Sequence, residues 1–291
     1  MRARLAALVA CAHAWAPPPA PWRFGDARVL YQPTLVRAAA ARAATPRDGV
    51  ALLSLFGWTL GGVFVVDWRE SPVGPYREVA VLSGLVARGG AVGAWASHIV
   101  VTTPEAAAGG REIYGLPTVL GSIAFAASDE RDADAWRREL RALAATSRAV
   151  GEAAAAALKA ALGAAGPGAA TSEELRRPAP REPADRGVVF EADGNVAVAG
   201  WDGWRGAAPP GDGARASLPS FSGRLDAAAP LLRYPLRLGP ARRVALRPAM
   251  PTRCAAAVSP VLAAVLDGPR ACPCLQVDAV VVEAGAPRAV D

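Results

Sequence analysis

A chain of 291 residues with 52% hydrophobic and 20% charged side chains can build one large domain or two small ones, and wholesale disorder is excluded. Its formal charge of +6 rests almost wholly on arginine, since Lys159 is the single lysine. No basic block interleaves with aromatic residues to make a stacking platform, so no nucleic acid is expected as a partner.

The N-terminus reads as an address. Arg2 and Arg4 precede the short apolar run Leu5 to Ala12, and Ala12-His13-Ala14 is a small-x-small cleavage pattern, so residues 1–14 are expected to be a signal peptide. Ala12-His13-Ala14-Trp15-Ala16-Pro17 resembles the bipartite plastid-targeting motif of algae with secondary plastids. Residues 15–21 would then be a short transit segment and the protein a plastid one; the alternative is simple secretion. Cleavage would remove His13 and Cys11, leaving His98 and three cysteines, Cys254, Cys272 and Cys274. A His-rich metal site cannot be built from these, any Ser-His-Asp triad would need His98, and an odd cysteine set suits a reducing compartment. No metal or cofactor is expected. No segment is long and apolar enough to be read as a transmembrane helix.

Strand signals dominate residues 22 to 127: Arg28 to Tyr31, Thr59 to Val66 and Ala94 to Thr102 carry β-branched or aromatic residues between Gly and Pro. They resume at Gly187 to Ala199, Leu231 to Leu238 and Val277 to Val282. Between the two groups, Ser128-Asp129 would cap an Ala-rich helix reaching to about Leu162, followed by a flexible Ala/Gly/Pro/Glu linker over 164–186. Residues 128–186 are thus read as a helical, low-complexity insertion in a mainly β domain spanning 22–291. Residues 202–220 read as a surface loop, and the tail from Ala284 as loosely ordered.

Three stretches belong together: Arg28-Val29-Leu30-Tyr31-Gln32, Ser71-Pro72-Val73-Gly74-Pro75-Tyr76-Arg77-Glu78, and Gly110-Arg111-Glu112-Ile113-Tyr114-Gly115-Leu116-Pro117 running into Thr118-Val119-Leu120-Gly121. In this order they resemble the acetoacetate decarboxylase-like superfamily. The resemblance covers most of 22–127 and thinly 187–283. It implies a mainly β (α+β) fold, a curved antiparallel β-barrel or sandwich around a deep apolar pocket. Phe56-Gly57-Trp58-Thr59-Leu60-Gly61-Gly62, with Leu218-Pro219-Ser220-Phe221-Ser222-Gly223, is similar to the plant neoxanthin-deficient family, which is implicated in accumulation of the xanthophyll neoxanthin.

In the decarboxylases a lysine after the Gly-x-Pro turn attacks the substrate ketone, and a second lysine depresses its pKa. Thr118 and Val119 stand there in this chain, and Lys159 lies in the insertion, so Schiff-base decarboxylation is not expected. What the resemblance leaves is a polar shell. Arg28 and Glu78 match pocket positions, and are read either as an ion pair closing one end of the barrel or as ligand groups. Thr118 offers a hydroxyl to a polar ligand end. Arg111 and Glu112 are placed at a strand-to-turn transition, with at most one of them facing the pocket. The ligand set is therefore Arg28, Glu78, Thr118 and Arg111, no catalytic residue is assigned, and the partner is an apolar, carotenoid-like small molecule. Oligomerisation stays open. A lysine-independent acid–base enzyme for a small keto acid is the alternative. His98 is placed on one strand face with Ala96 and Val100, opposite Trp95 and Ser97. Cys272-Pro273-Cys274 is read as buried small residues, and Trp58, Trp68, Trp95, Trp201 and Trp204 as core and rim, or as walls for a flat polyene.

Overall fold

The structure is a computed structural model that describes residues 16–45, 49–126, 187–190, 196–199, 216–223, 230–239, 243–247, 252–254, 258–269 and 274–290. The signal peptide, the 128–186 insertion, Cys272, Trp201 and Trp204 lie outside the described residues.

The first half supplies the long strands: β1 (Trp22–Arg37), β3 (Trp58–Trp68), β4 (Tyr76–Arg88) and β5 (Ala91–Val101), with a two-residue β2 (Ala51–Leu52) and a helix α1 (Ala38–Ala43) between β1 and β3. The Gly89-Gly90 link between β4 and β5 has φ of 54° and 75°, the left-handed pair that a two-residue hairpin turn requires. Helix α2 (Pro104–Glu112) follows, then β6 (Thr118–Leu120) and β7 (Ile123–Ala126). The second half adds β8 (Gly187–Phe190), β9 (Val196–Ala199), β10 (Ala216–Gly223), β11 (Leu231–Leu238), β12 (Arg243–Arg247), β13 (Thr252–Cys254), helix α3 (Pro260–Leu266), β14 (Cys274–Ala284) and β15 (Arg288–Ala289).

Pairing follows the path β14–β1–β3–β4–β5–β10–β11 and returns to β14, so the large sheet closes into a ring. The mainly β expectation holds, but the sheet is mixed rather than antiparallel throughout: β10 and β6 both join β5 in parallel. A second sheet orders β13–β8–β9–β7. Two expectations are corrected here. Residues 216–220 are not loop but part of β10, which carries the ring's parallel joint. The tail beyond Ala284 is tied down, because β15 pairs with β11 and the Val290 amide donates to the Leu231 carbonyl at 2.9 Å.

Each ring strand has two faces with different cover. On the outer face Leu30, Val63, Val65, Val79, Val81 and Val100 pack in one cluster with Val188, Phe190 and Val198 of the second sheet and with Leu262 and Val265 of α3. On the inner face Val29, Val66, Trp68, Tyr76 and Val101 pack with Trp22, Phe24, Tyr234 and Val282. Burial on both sides explains why β3 reads as the nearly unbroken apolar run Val63-Phe64-Val65-Val66 rather than as an alternation. The expected alternation through β5 also fails at one point. Val81 pairs with His98 and Leu82 with Ala96, leaving Ser97 as an extra residue in a β-bulge. His98 therefore does not share a face with Ala96: Ala96 joins the inner cluster, and His98 sits across from Val81 of the outer one.

Candidate functional site

Register decides which side chains meet. One row across the ring runs Val29–Val66–Glu78–Val101 through β1, β3, β4 and β5; residues directly opposite in such a row point to the same side. Val29, Val66 and Val101 belong to the inner cluster, so Glu78 points inward. The adjacent row is Arg28–Asp67–Arg77 and must face outward. Arg28 and Glu78 thus stand on opposite faces, and the pairing considered from sequence does not form. Arg28 Nε lies instead 3.5 Å from Asp278 Oδ1, with both side chains largely buried.

Glu78 is surrounded by aromatic rings. Trp68 Nε1 donates to its Oε2 at 2.9 Å, and the Tyr76 hydroxyl donates to the same oxygen at 3.2 Å. Both donors are neutral. Burial raises the Glu78 pKa above the ordinary carboxylate value, and the two hydrogen bonds offset only part of that rise. Tyr76 is pushed well above its usual value, by burial first and by the Glu78 charge second. Tyr234 moves the same way for the same two causes. Tyr114 is raised to about 12 by burial; its hydroxyl accepts from the Trp22 amide at 3.2 Å and donates to the Ala284 carbonyl at 3.0 Å. Ring centroids of Tyr114 and Tyr234 are 5.0 Å apart, and those of Phe24 and Trp68 are 4.4 Å apart. A buried carboxyl whose pKa is raised in this way is suited to exchanging a proton with a ligand, or to accepting a hydrogen bond from a ligand hydroxyl.

The segment read as a strand-to-turn transition is helix α2. Thr103 caps it by accepting from the Ala106 amide, and Pro104 occupies its first turn. Its small residues allow close approach: a Cβ at Gly109 would collide with the Trp22 ring, and one at Gly110 with the Thr118 hydroxyl. Arg111 ends on the exposed side of α2 and donates to the Thr118 carbonyl at 3.1 Å, so it supports β6 rather than facing the interior. Thr118 is buried, and its Oγ1 has no hydrogen-bond partner among the described residues. Its neighbour Val119 is 48% exposed. Of the two positions that the sequence resemblance matches to the lysines of the decarboxylases, one therefore carries an unsatisfied hydroxyl and the other points to solvent. Thr118 pairs beside Ile99 and Glu78 beside Val101, so β5 separates them by on the order of 10 Å.

From Glu78 the inner face becomes more exposed towards the far end of β1 and β3, interrupted at Gly62, which is buried beneath the Tyr31 ring. Val29 and Val66 are buried, Tyr31 and Phe64 half-buried, and the cross-strand pair Leu35 and Leu60 exposed. At the opposite end, Trp68 and Tyr76 line a cleft of about 340 Å³ together with Arg69, Pro75 and Thr102. A larger cleft of about 740 Å³, lined by Arg233, Arg237, Glu283 and Arg288, belongs to the outer surface of β11, β14 and β15. It contains none of the inward groups, so the buried carboxyl marks the site and the larger cleft does not. Among the described residues no group of three or more His, Cys, Asp or Glu comes together to hold a metal, and no helix is long and apolar enough to cross a membrane.

Residues 12–171 match the description of the family Acetoacetate decarboxylase (ADC). The chain belongs to the acetoacetate decarboxylase family. The crystal structure of an acetoacetate decarboxylase from Legionella pneumophila superposes with a TM-score of 0.52 at 13% identity, covering 95% of this chain and 90% of that one, a likeness of fold. Among curated proteins, Protein NEOXANTHIN-DEFICIENT 1 of Oryza sativa is 39% identical over 119 residues, 41% of this chain and 37% of that protein. Its Arabidopsis thaliana namesake is 41% identical over 98 residues, 34% of each. The chain therefore spans little more than a third of the length of these relatives.

The sequence brought forward Glu78, Trp68 and Thr118 of this family member but missed Trp22, Phe24, Tyr76, Tyr114 and Tyr234 as site residues. Trp95 belongs to a different cluster with Val86, Phe221 and Leu231, and Trp58 stacks under Arg37 at 5.2 Å.

Proposed function

We propose that this chain is a plastid member of the acetoacetate decarboxylase family, with Thr118 and Val119 in place of the lysine pair, that supports neoxanthin metabolism by holding an apolar isoprenoid ligand inside the ring. The carrying observation is the gradient along the inner face, from the neutral-donor cage of Glu78 to the exposed pair Leu35 and Leu60. Leu60 lies six residues before Val66, roughly 20 Å of extended strand. That length suits an elongated ligand with its polar end at Glu78 and its tail towards Leu35. The unsatisfied Thr118 hydroxyl is a second polar point, since a buried hydroxyl without a partner is costly until something meets it. The names of the similar plant proteins support the choice of ligand class, and the resemblance of the N-terminal motif to plastid-targeting motifs supports the choice of compartment. Arg28 and Arg111, facing Asp278 and the Thr118 carbonyl, are assigned to holding the wall rather than the ligand.

Disruption of the gene followed by chromatographic resolution of the pigments tests this reading. Selective loss of neoxanthin, or of pigments made from it, is expected; an unchanged profile would overturn the role. A lysine-independent acid–base reaction on a small keto acid is favoured by one observation, the raised pKa of Glu78 beside the Tyr76 hydroxyl. On that reading Glu78→Gln abolishes turnover while the protein stays folded, and undiminished turnover removes it.

A further inference from the structure

The link from β2 to β3 is shaped as a projecting wedge. Leu55 and Trp58 exchange both backbone hydrogen bonds, at 2.8 and 3.0 Å, around a two-residue turn in which Phe56 has φ of 50° and Gly57 of 81°. This left-handed pair is ordinary for Asn-Gly or Gly-Gly, but a bulky aromatic at the first position is a strained outlier. Among the described residues nothing covers it in return: Phe56 is 91% exposed and Leu55 71%. Strain at a residue with no folding use points to a use outside the fold. The wedge stands beside the exposed Leu35 and Leu60 at the open end of the ring.

Among the described residues the charge around it is mainly positive. The described segments 34–45, 49–60 and 82–94 contain Arg37, Arg42 and Arg88 and no Asp or Glu. The acid at this end is Asp267, just past the C-terminus of α3 and two residues before Pro269, whose carbonyl accepts from the Leu35 amide, so the described residues here carry three arginines against one acid. The far ends of β1 and β3 carry Asp26 and Asp67, with Glu70 just beyond β3.

We propose that this end of the ring docks on an anionic lipid bilayer. Leu55 and Phe56 enter the headgroup–acyl boundary, and Arg37 and Arg42 meet the headgroups. An aromatic wedge above a cationic collar is the arrangement interfacial anchors use. A contact between two copies of this chain would call for a flatter patch. The inference deepens the preceding reading and rests on its apolar ligand, which would pass from the bilayer into the open mouth.

The test is flotation of the full chain with pigment-free phosphatidylcholine vesicles, with and without about one-third phosphatidylglycerol. Wild type should float with the anionic vesicles. Phe56→Ser should lose roughly ten-fold or more in apparent affinity, Arg42→Gln several-fold on anionic vesicles only, and Leu120→Ser, an exposed leucine on β6, nothing. Phe56→Gly should bind as weakly as Phe56→Ser while melting no lower than wild type, because glycine relieves the turn. Absence of flotation, or flotation indifferent to Phe56, would overturn docking. So would a Phe56→Ser change that alters the oligomeric state in light scattering instead. Because the vesicles hold no pigment, failure here leaves the gene-disruption result to stand or fall separately.

Discussion

Two neighbouring rows of the ring treat charge in opposite ways. The outward row alternates in sign across four strands. Arg28 stands between Asp278 and Asp67, and Asp67 Oδ1 lies 3.9 Å from Arg77 Nε. The inward row one residue away is Val29–Val66–Glu78–Val101, where the carboxyl is met by an indole N–H and a phenol O–H. On the outer face each charge meets an opposite charge. On the inner one burial raises the Glu78 pKa and its two neutral donors offset only part of that, which is the environment a ligand-recognising or proton-exchanging carboxyl needs.

The largest expected effect comes from breaking the inner cage. Trp68→Ala removes a buried indole and a charge-assisted hydrogen bond, and should cost about 3–5 kcal/mol in urea unfolding. On the outer face Arg28→Ala should cost about 1–3 kcal/mol, discounted because its side chain and that of Asp278 keep 17% and 14% exposure. A double-mutant cycle with Asp278→Ala should return a coupling of about 1 kcal/mol, and zero coupling would dissolve the contrast. Glu78→Gln sharpens it through pH. A folded-state pKa raised above the unfolded one gives a contribution present in full below the ordinary value of 4.5 and lost as pH rises through the folded pKa. Wild type should therefore lose stability relative to Glu78→Gln across that interval, and parallel curves would show that the carboxyl is not shifted. Arg111→Ala, on the exposed side of α2, should change stability by about 0.5 kcal/mol or less in thermal melts.

Much of the fold was legible because β-branched runs sit where β3, β5 and β14 form, and an apolar run with Tyr234 sits where β11 forms. The faces were not. Placing Arg28 opposite Glu78 depends on pairing registers through β3, and a single slip reverses every side chain. The bulge at Ser97 shows the same limit within one strand, since no residue type there announces it. Helix α2 did carry signals, Thr103-Pro104 ahead of three alanines, that the Gly-Arg-Glu motif overshadowed. The aromatic cage is assembled from Trp22, Tyr114 and Tyr234, distant in sequence, and only closure of the ring brings them together.

That closure also sets an order of events in the making of the protein. β1 finds its second partner only in β14, as in the pairing of Trp22 with Ala284, so one edge of β1 must wait for almost the whole chain to be synthesised. At roughly 5–20 residues per second the wait is on the order of tens of seconds. During it a long, apolar strand edge stays open to any other nascent chain nearby. Efficient production of this protein should accordingly depend on holding that edge apart until the last long strand emerges.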